Sequence, residues 1–393
     1  MYVRGAIGCR NIELHSLWSN KWGTEFFKNA MSRDRFLEIL RYLRFDIRAT
    51  RRARLETDKF ALISEVWYDF IQNCQNCYIP GPYVTADEQL FPSKCRCRFT
   101  QFMAQKPDKY GQKFWMLVDR TSKYMLNAFP YLGKDEERPD NDRLADFVIM
   151  KLMDPYLNKG RNITCDNYFT SKILAEQLGG KKTSIIGTVD KKRREIPADV
   201  KKAKETLYDT CALKNGNMTL TVYQGKRKEN VVILSTMHPD IQVGAGEKKK
   251  PETIECYNKT KYGVDVVDQM ARKYSVKAPS RRWPVHIFYN ILDLCGINAW
   301  ILYKQCTNVK ISRRNYLLKL SEELASMNMN QRGRLLEPDD EQDQNQEAVP
   351  ATSATRKRCQ VRQGCGKGAK SVYTCTKCKK HVCKKCTKTT TYV

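Results

Sequence analysis

Arg161-Asn162-Ile163-Thr164-Cys165-Asp166-Asn167-Tyr168-Phe169-Thr170 is the stretch on which the reading of this chain turns. Its first half reads as a strand, and Asp166 stands at the strand's end. A bare carboxylate beside such apolar neighbours is costly unless it is paired or bound to metal. Two further stretches repeat the pattern. Asp87 lies in Val84-Thr85-Ala86-Asp87-Glu88-Gln89-Leu90, again a strand end. Asp265 and Asp268 lie in Lys261-Tyr262-Gly263-Val264-Asp265-Val266-Val267-Asp268-Gln269-Met270, which reads as the first turns of a helix. There the two aspartates are three apart and share one face. Carboxylates converging from two strands and a helix can hold two Mg²⁺ (or Mn²⁺) ions about 3.5–4 Å apart, the arrangement used for phosphodiester chemistry. Magnesium takes oxygen ligands and keeps waters, so a few Asp side chains suffice.

Outward from these stretches, residues 1–80 read as mostly helical. Thr24 and Ser32 are candidate N-caps, Phe36, Leu37, Leu40 and Leu43 make one helical stripe, and Phe60, Ile63, Val66, Trp67, Phe70 and Ile71 make another. Pro80-Gly81-Pro82 breaks the helix ahead of the Asp87 strand. Phe114 to Val118 and Tyr124 to Ala128 flank a turn at Asp119-Arg120-Thr121-Ser122, a hairpin pattern. A helix from about Asp142 to Met153 precedes the Asp166 strand. Another follows it and ends at Gly179-Gly180, with a strand from Ser184 to Val189. After Lys191-Lys192-Arg193-Arg194 the texture changes. Met218, Leu220 and Val222 alternate with Thr219 and Thr221, and Val231 to Thr236 follows as a more buried strand across Lys226-Arg227-Lys228. Beyond the third motif, Ile287, Ile291, Leu294, Ile297 and Ile301 recur at helical spacing, and Ser312 to Ser326 predicts a further helix. Glu337 to Pro350 carries six acidic residues and almost nothing apolar, the composition of a solvated linker.

The 393 residues carry a net charge of +27, which points to a polyanionic partner, most simply nucleic acid. A membrane surface is the rival, but no lipidation motif or basic amphipathic helix favours it. The N-terminus has no apolar signal region, and the apolar stretch from His286 to Tyr303 is interrupted by Asn290, Asp293 and Asn298. Sixteen cysteines in a chain of this size, many of them clustered in the tail, point to a reducing compartment and metal binding rather than disulfides. The sequons at Asn162, Asn217 and Asn258 are then irrelevant.

From Arg356 the tail holds twelve Lys and Arg and no acids. Its metal-binding candidates are Cys359, Cys365, Cys375, Cys378, His381, Cys383 and Cys386. Cys375-x₂-Cys378 and Cys383-x₂-Cys386 have zinc-knuckle spacing, and Cys359-x₅-Cys365 is looser. Seven ligands cannot close two tetrahedral Zn²⁺ sites, so either one site is complete and the other open, or an eighth ligand has been lost with a shortened C-terminus. The basic surface between the ligands suits DNA phosphates.

The three acidic motifs, with Leu17-Trp18-Ser19, Met31-Ser32-Arg33-Asp34-Arg35-Phe36, Lys106-Pro107-Asp108-Lys109-Tyr110-Gly111, Pro130-Tyr131-Leu132-Gly133, Tyr257-Asn258-Lys259-Thr260-Lys261 and Arg282-Trp283-Pro284, resemble the piggyBac family of DNA transposases over roughly residues 10–330. The resemblance implies an α/β, RNase H-like catalytic core with a β-rich insertion, which the β-β-β-α-β-α-β order suits. It aligns Asp87, Asp166 and Asp265 with the family's catalytic aspartates and Asp268 with a fourth acidic residue. It implies cut-and-paste transposition of double-stranded DNA at TTAA sites through hairpin ends, in the nucleus, with a homodimer or larger assembly bringing two ends together. The expected organisation is a helical DNA-binding and dimerisation region (1–80), the first part of the core (81–190), the insertion (191–255), core completion with further DNA-binding and dimerisation helices (256–330), an acidic linker (331–355) and a cysteine-rich zinc domain (356–393). The chain opens inside the region of resemblance, so the family's usual N-terminal extension is expected to be missing. A domesticated, non-cleaving DNA-binding or chromatin protein derived from such a transposase is the alternative, and a stand-alone nuclease is a third.

Several residues carry two readings. Asp268 is a metal ligand or a residue that orients one. Trp283 after Arg281-Arg282 stacks on a base while the arginines hold phosphate, or it is a helix-start core residue with Pro284 in the first turn. Glu88 points to the strand face opposite Asp87 and is read as structural. Cys74, Cys77, Cys95 and Cys97 read as free thiols, Cys165 as packing, and His238 as a satisfied structural histidine.

Overall fold

The computed structural model describes residues 1–133, 138–202, 206–334, 357–360, 370–371 and 381. The chain divides into two compact units, residues 1–334 and 335–393.

The first unit is a mixed α/β body built on one twisted sheet. Its strands are β1 (Tyr83–Pro92), β2 (Thr100–Phe102), β3 (Tyr110–Asp119), β4 (Met125–Pro130), β5 (Asn162–Cys165), β6 (Ser184–Thr188), β7 (Thr210–Asn215), β8 (Met218–Lys226) and β9 (Glu229–Ser235). They lie in the order β2-β3-β1-β5-β6-β9-β8-β7, with β4 sharing the edge of β3. β1, β5 and β6 are mutually parallel, and every other pairing is antiparallel. Phe114 to Val118 of β3 are at most 1% exposed, as a strand covered on both faces requires. The predicted hairpin is β3–β4. The insertion strands β7 to β9 form a meander that extends the same sheet, because β9 satisfies the open edge of β6 through Ile186↔Ser235 and its neighbours.

Helices of eight or more residues are α1 (Arg33–Tyr42), α2 (Ser64–Asn76), α3 (Leu144–Met153), α4 (Lys172–Gly180), α5 (Glu252–Thr260), α6 (Gly263–Lys273), α7 (Trp283–Thr307) and α8 (Arg313–Arg334). They cover both sheet faces. Phe114 stacks on Trp67 of α2, while the adjacent Trp115, facing the other way, meets Tyr168 and Phe169 ahead of α4. Ser32 caps α1, accepting from the Arg35 N–H at 3.3 Å. Thr24 precedes a short helix but makes no side-chain cap bond. Phe60 and Ile63 lie in turns before α2, where the Asp58 carboxylate holds the Phe60 N–H, so their stripe is only partly helical.

α7 runs 25 residues and, by length and composition alone, could cross a membrane, but 67% of its apolar window is buried inside the protein. Its polar residues are spent internally. Asn298 spans the Met125 N–H and C=O, Asn290 binds Gln89, and Asp293 accepts from Ser275 and the Val276 N–H. Burial pushes the Asp293 carboxyl up to about 7.

In the second unit Lys357–Arg358 pairs antiparallel with Lys370–Ser371. Cys359 is buried, and Gln360 next to it exchanges two hydrogen bonds with the backbone of His381. This brings Cys359 and His381 into one neighbourhood. Cys365, Cys375, Cys378, Cys383 and Cys386 lie outside the described residues.

Candidate active site

The sheet order explains why two of the aspartates meet. β5 pairs with β1 in parallel from Tyr83↔Asn162 to Thr85↔Thr164. Two steps further along this register, Asp87 and Asp166 stand side by side at and beyond the carboxyl end of β5. Crevices beyond strand carboxyl ends are where α/β sheets bind ligands. α6 supplies the third group. Asp87, Asp166 and Asp265 line one cleft of about 210 Å³ with Thr85, Tyr257, Lys261 and Tyr262. Gly263 makes this approach possible, since a Cβ there would lie 2.7 Å from the Cβ and Oγ1 of Thr85. The Thr85 hydroxyl donates to the Thr260 carbonyl at 2.7 Å and ties β1 to the end of α5, just ahead of α6.

Each carboxylate is partly occupied by its own backbone. Asp87 Oδ1 accepts from the Glu88 N–H at 2.8 Å, and Asp166 Oδ1 accepts from the Tyr168 and Phe169 N–H groups. Burial, followed by the charges of Glu88 and Asp166, holds the Asp87 carboxyl well above the usual carboxylate range. Burial and then Glu88 raise Asp166 in the same way. Glu88 is thus electrostatically part of the site although it faces the other side of β1. β5 has already ended there, and nothing of that strand separates Glu88 from Asp166.

Two lysines, missed in the sequence, balance this charge. Lys106 reaches to 4.0 Å from Asp265 and donates to the Glu88 carbonyl. Lys113 lies 4.0 Å from Glu88 and over the Trp115 ring, and burial lowers its ammonium below the usual lysine range. Tyr257 lines the cleft with its phenol pushed up to about 12 by burial, and by Asp166 and Asp87 after it. A lysine inside Lys106-Pro107-Asp108, or Lys113 within a largely buried strand, gives no periodic signal; only the motif resemblance marked the first.

Asp268 lies outside the cleft lining. It accepts from Gln89 Nε2 at 3.3 Å and from Arg272 Nε at 3.1 Å. Arg282 donates to the carbonyls of Leu40 and Leu43 and so holds the end of α1. The Trp283 ring stacks on Phe60 and meets Phe99 edge-on, while Arg281 is exposed. Arg193, from the basic run, donates to the Asn167 and Tyr168 carbonyls, and Arg143 to the Phe169 carbonyl, so both hold the loop that carries Asp166. His238 shares a 2.7 Å bond with Ser235, and Cys74 is buried with its thiol pushed up to about 12.

The donor set is hard oxygen with excess negative charge, which suits Mg²⁺ or Mn²⁺. Among the described residues no three His, Cys, Asp or Glu side chains close to a ligand shell. Asp87, Asp166 and Asp265 line one cleft without being drawn together into such a shell.

Residues 6–300 match the protein family described as Transposase IS4. The human piggyBac transposable element-derived protein 3 is 25% identical over 296 residues, which is 70% of this chain and 49% of that protein. The human chimeric ERCC6-PGBD3 protein matches at the same identity over 27% of its own length. The chain therefore spans half or less of these relatives. The cryo-EM structure of a piggyBac transposase synaptic complex with hairpin DNA has a TM-score of 0.80 at 31% identity, covering 97% of this chain and 84% of that one. Sequence and mixed α/β fold agree, and this chain belongs to the piggyBac family of transposases.

Proposed function

We propose that this protein is a metal-dependent cut-and-paste DNA transposase, with an RNase H-like core formed by residues 81–190 and 256–330. The observation that supports it most is the placement of Asp87, Asp166 and Asp265 around one cleft from two parallel strands and a helix. These three would hold Mg²⁺ or Mn²⁺. A metal held by them would supply activation of the attacking water or 3′-OH and stabilisation of the leaving oxygen. The chain's own groups do the rest. Lys106 and Lys113 place ammonium charge beside the cleft, where phosphate oxygens would sit. Tyr257 keeps its proton at neutral pH and can donate to such an oxygen. Arg193 and Arg143 keep the Asp166 loop from moving away under the load of substrate.

The reading extends to double-stranded transposon ends beside TTAA, hairpin intermediates, a homodimer that pairs two ends, a nuclear location, and a C-terminal Zn²⁺ domain that includes Cys359 and His381. The DNA complex formed by the similar transposase supports the nucleic-acid partner. The net charge of +27 supports it independently.

The test is incubation of purified protein and Mg²⁺ with labelled DNA carrying the element's own ends beside TTAA, with Asp166→Asn as control. Hairpin ends formed by the wild type alone are the expected result. Tight binding to correct ends without any strand cut would replace this reading with that of a domesticated DNA-binding protein.

A further inference from the structure

Helix α6 and strand β1 meet at three successive rungs. At the first, Gly263 lies against Thr85 with no room for a methyl group. At the second, Asp265 faces Asp87 across the cleft. At the third, Asp268 accepts a hydrogen bond from the amide of Gln89. Thr85, Asp87 and Gln89 share one strand face at two-residue spacing, and Gly263, Asp265 and Asp268 occupy the first turns of the helix. The catalytic rung is therefore suspended between two locked ones.

The third rung is a polar chain that crosses four parts of the fold. Gln89 is fully buried; its Nε2 donates to Asp268 and its Oε1 accepts from Asn290 Nδ2 of α7 at 2.9 Å. Asn290 is itself fully buried. The other Asp268 oxygen accepts from Arg272, which also pairs with Asp108 and reaches the Leu90 carbonyl. Both oxygens of Asp268 are thus engaged away from the cleft. A buried amide with both ends paired has one orientation, and a network of this kind holds its members rigidly.

We propose that Asp268 is a positioning residue and not a metal ligand: through the Gln89 amide it locks α6 to β1 and sets the separation of Asp87 and Asp265. The inference rests on the metal-site reading of those two aspartates. Neither Gln89 nor Asn290 touches substrate or metal in this scheme; they act through Asp268.

Exchanging the two functional groups separates position from ligation. In the double variant Gln89→Glu with Asp268→Asn, the new amide can donate to the new carboxylate, Arg272 keeps an acceptor, and Asn290 keeps its own. Mn²⁺ binding to the purified full-length protein is read by electron paramagnetic resonance, beside the Mg²⁺ dependence of DNA cleavage and a thermal melt. Each single variant is expected to weaken Mn²⁺ binding roughly tenfold or more, the usual effect of losing a residue that orients ligands. The double variant should recover most of that loss. Should Gln89→Glu fail to fold, Gln89→Met, similar in size and uncharged, replaces it as the single variant. Binding by the double variant no better than by Asp268→Asn alone overturns the proposal, because the carboxylate itself would then be required. Wild-type affinity in either Gln89 variant also overturns it. A wild type that binds no Mn²⁺ sinks the metal-site reading first, before any variant is compared.

Discussion

Asp87 sits where its own charge is least welcome. Burial and the carboxylates of Glu88 and Asp166 raise it well above the usual range. A carboxyl raised in the folded state contributes stability at low pH and loses it as pH rises from the ordinary carboxylate value through the raised one. Above that window the ionised group works against the fold. Asp87→Asn should therefore raise the stability of the metal-free protein at pH 8, where the wild-type carboxylate is ionised against its buried, acidic surroundings. Cleavage should disappear in the same variant. Added Mn²⁺ should raise the melting temperature of the wild type at pH 8 and that of Asp87→Asn far less, as calorimetry with and without metal would reveal. The mutual repulsion was not legible in the sequence. Asp87 and Asp166 are 79 residues apart, and only the parallel register of β1 with β5 makes them neighbours.

Between elements, the contact that matters most is α6 on β1. Gly263→Ala forces a methyl group into Thr85, an overpacking that costs about 1–3 kcal/mol and displaces Asp265 from Asp87. A denaturant titration should show the destabilisation, and the Mn²⁺ requirement for cleavage should rise with it. Within α7, the Asp293 carboxyl is raised to about 7 by burial, against its bonds to Ser275 and Val276. The stability it contributes below pH 4 is lost as pH climbs toward 7. Asp293→Asn keeps an acceptor for one of those bonds and removes the charge, so its melting temperature should decline less between pH 4 and pH 8 than that of the wild type. Circular-dichroism melts across that range decide the matter; equal slopes would place the titration elsewhere. The spacing of Ile287, Ile291, Leu294, Ile297 and Ile301 predicted this helix correctly, because a one-sided apolar period is a local property. Its internal polar residues looked like interruptions only because their partners on β1, β4 and the loop before α7 are distant in sequence.

Across the whole molecule, charge governs association. With a net charge of +27, and twelve Lys and Arg in a tail without acids, DNA affinity should fall steeply with salt. Truncation after Arg334, at the boundary between the two compact units, should flatten the slope of log affinity against log salt by several phosphate contacts. Fluorescence anisotropy at 50 to 200 mM salt measures both slopes, and identical slopes would remove the tail from the DNA-binding surface. The basic run at Lys191 to Arg194 shows why charge alone does not locate a surface. Arg193 is consumed by the backbone of the Asp166 loop, and Arg282 by the end of α1.

By itself the sequence determined most element types, the three acidic motifs, the family and the strong positive charge. These follow from local periodicity, residue chemistry and composition, which need no long-range information. Tertiary structure decided the rest: that β7 to β9 extend one sheet, that Lys106, Lys113, Glu88 and Tyr257 surround the carboxylates, that Trp283 stacks on Phe60, and that Asp268 faces Gln89. Each depends on strand register and helix rotation. Those are set by burial summed over the whole body and carry no signature in any single stretch of chain.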